Sequence, residues 1–398
     1  MKPMQRRTRL DTATKDFDPP FAIVDLDAFD HNATDLVRRA GGRPIRVASK
    51  SVRVRDLLRR VLDKPGYEGI MCYSLPEALW LSDHNTSEDL LVAYPTVDHG
   101  ALRRLAADEV ALGRVTLMID SLDHLDLVDA ALGAHHPTIR VCLELDVSWR
   151  PIPGLHVGTR RSPVHSARDA GLLARRISDR AGFTLVGVMA YEGQIAGLGD
   201  NPPGQPLRGA IVHWMQKRSA AELIERRSAA VAAIRQAVPL EFVNGGGTGS
   251  LEVTGSDPSV TELAAGSGLA GPTLFDAYRS FHPEPAVLFA LPVVRRPARN
   301  TATLFVGGYI ASGTATPDRQ PSPYLPEGLT TLPMEGAGEV QTPVVGKAAD
   351  SLRLGDRVWM RHAKAGELAE RFDHVHLLVG NDVERTVPTY RGEGQNFG

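Results

Sequence analysis

Short apolar runs separated by amphipathic stretches recur from about Pro20 to about Tyr278. The runs fall at 45–48, 69–72, 90–93, 115–119, 140–145, 186–190, 240–243 and 262–265. Apolar runs this short, bounded by helical stretches, read as strands covered on both faces. Between them, segments such as 53–62, 167–177 and 218–234 repeat their apolar positions at helical spacing. Eight strand-then-helix units over roughly 250 residues have the size and rhythm of a (β/α)₈ barrel, which puts the chain in the α/β class. A doubly wound open sheet explains one glycine-rich loop, but not two on the last two strands.

After Tyr278 the pattern changes. Pro283, Pro285, Pro292, Pro297, Pro317, Pro321, Pro323 and Pro326 punctuate strand-like runs at 286–294, 303–306, 338–342, 356–360 and 375–378. The expectation is a barrel over residues 20–280 and a β-rich domain over 281–398, joined by residues 1–19.

Composition narrows the function. The 45 Lys+Arg and 47 Asp+Glu give a net charge of −2, which argues against nucleic acid or an anionic membrane as partner. Arg6, Arg7 and Arg9 precede no apolar region and read as a solvated tail. No apolar stretch approaches the roughly 20 residues of a spanning helix. Cys72 and Cys142 lie in strand-like runs and read as buried free thiols, which fits the cytoplasm.

The candidate chemistry sits where strands end. Asn244-Gly245-Gly246-Gly247-Thr248-Gly249-Ser250 follows the seventh run, and Ala265-Gly266-Ser267-Gly268 the eighth. Loops after the last two strands of such a barrel commonly hold phosphate. Their backbone N–H groups, with the hydroxyls of Thr248 and Ser267, are suited to it. Lys50 ends the first run, at the barrel face where active sites lie, and is the candidate nucleophile. Tyr191-Glu192-Gly193-Gln194 follows the sixth run, with its aromatic ring and polar tips expected at the same mouth. Asp146 and Arg150 follow the fifth, where Arg150 can neutralise a cofactor phenolate or a substrate carboxylate; Arg160 and Arg161 compete for that role. A phosphate cradle facing a strand-end lysine suggests pyridoxal 5′-phosphate held as a Schiff base.

These residues carry a resemblance. Val24-Asp25-Leu26-Asp27-Ala28, Arg46-x-x-x-Lys50, Tyr191-Glu192-Gly193 and Gly246-Gly247-Thr248 resemble motifs of the fold-type III pyridoxal phosphate enzymes. Within them the chain is similar to the D-threonine aldolase and D-serine dehydratase group, of the superfamily that shares the alanine racemase N-terminal barrel. The resemblance implies a lyase acting on β-hydroxy D-amino acids, by aldol cleavage or by dehydration and deamination. It makes Lys50 the Schiff-base lysine, with Tyr191, Gly247, Thr248, Gly249, Gly266 and Ser267 around the phosphate. It also implies a homodimer in the cytoplasm.

In that group a histidine and a nearby acid or cysteine bind a divalent metal. Here the matching stretch carries His362 and, in the second place, Lys364, so the two-ligand metal site is expected to be absent. If residues 362–364 form a strand, both side chains share a face toward the cofactor, replacing the metal with fixed positive charge and a titratable base, and His362 or Lys364 is the candidate to act on the substrate hydroxyl. His374 and His376 offer another metal site with His362, against the plainer reading of two histidines on a strand face. Glu339 is a further candidate base near the same mouth. The enzymatic alternative is an amino-acid racemase, for which Tyr309 or Tyr324 would have to oppose the lysine. A pyridoxal phosphate carrier and a phosphosugar barrel enzyme are the remaining alternatives.

Overall fold

The structure, a computed structural model, describes residues 2–398 and separates into two compact units. One comprises 35–49, 57–266 and 397–398; the other comprises the chain up to Thr34 together with 50–56 and 267–396.

The first strand of the chain, β1 (Phe21–Asp25), belongs to the second of these units. The barrel unit holds β2 (Ile45–Ala48), β3 (Tyr67–Cys72), β4 (Leu90–Val92), β5 (Val115–Ile119), β6 (Ile139–Glu144), β7 (Phe183–Ala190), β8 (Phe242–Gly245) and β9 (Glu262–Ala265). These eight close into a parallel barrel, with β2 paired to β9 at Ile45–Leu263 and Val47–Ala265. Leu91, Met118, Cys142, Val186, Met189 and Phe242 cluster in the core, and Cys72 and Cys142 are buried free thiols. Gly187 is required here, because a Cβ on it would lie 2.2 Å from the Phe242 ring.

One polar layer crosses this core. Arg46 on β2 is 1% exposed, donates from Nε to Glu262 (2.7 Å), and reaches Asp89 with Nη2 (2.7 Å). Asn244 on β8 donates to the same Glu262 carboxylate at 2.8 Å. That bond carries the strand further than the apolar pattern suggested: β8 runs through Asn244 and Gly245 instead of ending at Val243. The helix expected at 218–234 begins at Pro206, whose ring suits a first helical turn; exposed Leu207, Ile211 and Trp214 had masked its periodicity.

The other unit is a nine-stranded sheet of β1, β10 (Val287–Ala298), β11 (Thr301–Phe305), β12 (Ser322–Leu325), β13 (Thr330–Thr331), β14 (Gln341–Val345), β15 (Arg357–Arg361), β16 (His374–Val379) and β17 (Asp382–Pro388). β1 runs antiparallel to β10 and parallel to β16, so the opening segment joins this sheet and not the barrel. The N-terminal arginines are not a solvated tail. They lie on the helix Pro3–Ala13, where Arg6 and Arg9 pair with buried Asp25 and Arg7 with Asp11. Leu10 of that helix enters the sheet core beside Ile23, Leu288 and Trp359. The proline-rich 321–326 stretch contains β12, a strand paired on one side only, to β15, where proline is tolerated.

Arg46→Met should leave Glu262 buried beside Asn244 without its cation. The expected loss of barrel stability is about 3 kcal/mol, read as a lower urea midpoint. Adding Glu262→Gln should restore part of it.

Candidate active site

In the barrel unit, the connections after β7 and β8 are tied together by one carboxylate. Glu192 is fully buried and accepts hydrogen bonds from the Gly246 N–H (3.1 Å), Ser250 Oγ (3.3 Å) and Thr254 Oγ1. Arg227, from the long helix, approaches it at 3.7 Å and also pairs with buried Asp257 at 2.7 Å. Burial pushes the Glu192 pKa up, and Arg227 and these donors oppose that shift. Glu192 therefore points beneath the glycine loop, not into the barrel mouth as the sequence pattern suggested.

The loop above it is a cradle without side chains. Gly246 has φ +84°, and a Cβ on Gly247 would lie 3.0 Å from Ala196 Cβ and 3.2 Å from the Tyr191 ring. Thr248 is buried, and its carbonyl accepts from Arg39 Nη2 at 2.7 Å. Gly249 follows within the turn, and Gly266 directly follows β9. The structure thus brings Tyr191, Gly247 and the Glu192-anchored loop together in one unit.

The arginine brought to Tyr191 is Arg161, one of the two alternatives to Arg150. Its guanidinium lies 5.0 Å from the Tyr191 ring centre and 5.3 Å from that of Tyr94. Glu144, at the end of β6, holds it from 3.5 Å. Burial, opposed mainly by Arg161 and reinforced by Asp120, lifts the Glu144 pKa from its ordinary 4.5 to about 7. Arg150 instead pairs with Asp146 and donates to Ser148 Oγ at 3.2 Å. It lines an open cleft of about 810 Å³ formed by the 146–163 loop.

The remaining candidates lie in the sheet unit. Lys50 occupies the 3-10 turn Ser49–Ser51 that directly follows β2 in the chain. Its carbonyl accepts from Arg53 Nε at 3.1 Å. That carbonyl would be 1.8 Å from a Cβ on Gly366 (φ +104°), so the backbone of Lys50 is fitted against the segment that follows β15. Ser267 opens the short helix Ser267–Ala270.

β15 ends at Arg361, so His362 and Lys364 do not share a strand face. His362 is 3% exposed, and its Nδ1 bonds the Lys364 carbonyl at 2.6 Å. A carbonyl only accepts, so Nδ1 carries the proton and Nε2 keeps its lone pair. Nε2 is buried and makes no well-formed hydrogen bond, and the Ala270 backbone lies near enough to the ring to raise its proton affinity. Burial lowers the His362 pKa to about 4, which keeps the ring neutral near pH 7 and makes it a weaker base than the sequence reading supposed. The half-buried Lys364 donates from Nζ to the Ser312 carbonyl at 2.8 Å. Its pKa is lowered by burial first, then by Arg319 and Lys50.

Other candidates are committed elsewhere. Tyr309 packs against Phe289 and Phe372, and Tyr324 accepts from Arg6 at 3.2 Å. His376 packs on Phe17 and bonds Thr386 Oγ1 at 2.7 Å. Glu339 is exposed. Sequence reading missed Glu144 and the anchoring role of Glu192. Each is an acid ending or following an apolar strand, and only tertiary contacts show what it holds.

Comparison with known proteins adds three findings. A family model described as the alanine racemase N-terminal domain matches residues 24–272. The D-threonine aldolase of Arthrobacter sp. is 24% identical over 308 residues, 73% of this chain and 72% of that one. Two solved structures share the fold. The D-threonine aldolase of Filomicrobium marinum has a TM-score of 0.78 and 21% identity, covering 94% of this chain and 95% of its own. The D-threo-3-hydroxyaspartate dehydratase of Delftia sp. HT23 has a TM-score of 0.73 and 20% identity, with 94% and 97% covered.

Two variants test this geometry. Glu192→Gln should cost about 2 kcal/mol, because a buried charged hydrogen-bond acceptor is lost; thermal melts of the barrel would show it. The second concerns pH. The native state holds the Glu144 proton up to about 7, whereas the unfolded chain releases it near 4.5. The native state thus binds more protons between those values, and this group's contribution to stability declines as pH rises through that window. Glu144→Gln should flatten that decline in urea midpoints measured across the window.

Proposed function

Because the chain belongs to the family of the alanine racemase N-terminal domain, whose fold-type III members use pyridoxal 5′-phosphate, we propose that it is a pyridoxal phosphate-dependent lyase. Its substrates are D-amino acids bearing a β-hydroxyl, and its reaction is aldol cleavage or dehydration with deamination. The names of the similar aldolase and dehydratase support that class.

The observation that carries the reading is the cradle at Gly246–Thr248. A side chain at Gly247 would collide with Ala196 and Tyr191, so the turn leaves room for a phosphate; its Gly246 and Gly247 N–H groups already bond Glu192 and Ser250 Oγ, and the donors we assign to the phosphate are those that follow, at Thr248 and Gly249. These residues fit a phosphate-bearing cofactor. Gly247 would line the phosphate, Thr248 and Gly249 would hold it with Gly266 and Ser267, and Tyr191 would flank it. Arg161, steadied by Glu144 and beside Tyr191, would serve as counter-charge to the cofactor phenolate, the role the sequence reading offered first to Arg150. Lys50 would hold pyridoxal phosphate, which when bound would supply an electron sink for charge at the substrate Cα. The Lys50 amine would remove or return the α-proton. Glu192 fixes the loop so that these donors need not reorganise during turnover.

The reading extends to a cytoplasmic homodimer. Two buried free thiols support a reducing compartment, and among the described residues no helix is long and apolar enough to cross a membrane.

The test is the absorption spectrum of the pure protein before and after borohydride, with mapping of the modified peptide. A yellow band that bleaches, with the adduct on Lys50, is the expected result. Lys50→Ala should lose the band and nearly all turnover. A protein that stays colourless with added pyridoxal phosphate would overturn the reading. Product analysis on a D-amino-acid panel separates the two reactions, since cleavage yields an aldehyde and an amino acid, whereas dehydration yields a keto acid and ammonia.

A further inference from the structure

The divalent metal implied by the resemblance requires a second ligand beside His362, and this chain carries Lys364 there. Metal ligands lend a lone pair, and a protonated lysine has none. Among the described residues, no group of three or more His, Cys, Asp and Glu side chains could hold a metal ion. A protonated Lys364 also repels a dication directly. Lys364 interacts electrostatically with Arg319 and Lys50, with Glu367 and Asp318 as the opposing acids. The residues therefore do not fit a resident divalent metal.

They do form a complementary pair. His362 donates from Nδ1 to the Lys364 carbonyl and leaves the Nε2 lone pair buried without a well-formed hydrogen bond. Lys364 uses one proton on the Ser312 carbonyl at 2.8 Å, so two of its three donors are not engaged in hydrogen bonds within the chain. One side chain thus brings positive charge and hydrogen-bond donors, and the other an acceptor.

We propose that this protein works without a divalent metal and that Lys364 takes the metal's place, its ammonium binding the oxygen of the substrate β-hydroxyl while His362 Nε2 accepts that hydroxyl's hydrogen bond. This deepens the lyase reading and rests on it. The segment that carries the pair is packed on the backbone of the lysine on which the substrate would react, since a Cβ on Gly366 would lie 1.8 Å from the Lys50 carbonyl. A fixed ammonium stabilises charge growing on the β-oxygen as a metal would, because its dipoles are already oriented.

The first experiment measures metal content and activity of the holoenzyme before and after exhaustive chelation. The expected result is far less than one equivalent of divalent metal and unchanged turnover. Stoichiometric metal, with activity lost on chelation and restored by Mn²⁺ or Zn²⁺, would overturn the proposal. The second experiment titrates Zn²⁺ and Mn²⁺ into Lys364→Cys. A thiolate beside His362 should create binding that the starting protein lacks, and adding His362→Ala should abolish it. No gain of binding would mean that Lys364 does not occupy the ligand position. Lys364→Gln should lower kcat about a hundredfold while the Lys50 absorption band is unchanged; unchanged kcat would remove Lys364 from the reaction. The metal measurements need no cofactor. A protein that lacks both pyridoxal phosphate and metal defeats the lyase reading, whereas a yellow protein with stoichiometric metal defeats only this proposal.

Discussion

The barrel's site depends on a carboxylate that never meets solvent. Glu192 holds the turn after β8 from beneath, through one backbone N–H and two hydroxyls. An unpaired buried charge would be intolerable; Arg227, which Glu192 shares with Asp257, and the hydrogen bonds to Glu192 offset its burial. The loop can then be made almost entirely of glycine without becoming slack. Its shape is imposed by the network below, so its upper surface can be left bare for a ligand. Tyr191 adjoins Glu192 in the chain, so the residue that flanks the cradle and the residue that fixes it move as one.

A second constraint acts on the other side of the barrel's polar interior. Arg46 joins Glu262 and Asp89 in the layer that Asn244 also enters, so β2, β8 and β9 are held by charge as well as by backbone pairing. β2 leads directly into Lys50. Lys50 follows a buried arginine by four residues. Its own carbonyl is fitted against Gly366.

Much of this was legible beforehand. Buried parallel strands are continuous apolar runs, so their pattern survives any tertiary detail, and 45–48, 115–119 and 262–265 coincide with β2, β5 and β9. The sheet domain was less legible. Its edge strands β12, β13 and β17 carry proline, threonine and charge because one side is unpaired, which hides them among turns. Arg6 and Arg9 of the first helix resembled a tail because their partner, Asp25, lies beyond the helix in sequence.

By itself the sequence determined the barrel, the β-rich unit, the strand-end lysine and the glycine turns, since each depends on local periodicity or on residues needing special backbone angles. Only the tertiary structure decided which charges meet. It chose Arg161 over Arg150 beside Tyr191, turned Glu192 under its loop, lifted Glu144 toward neutrality and took His362 off the strand with a buried Nε2. The reason is physical. Hydrophobic periodicity is a property of neighbours along the chain, whereas ion pairing, burial and proton affinity depend on groups brought together across long sequence separations.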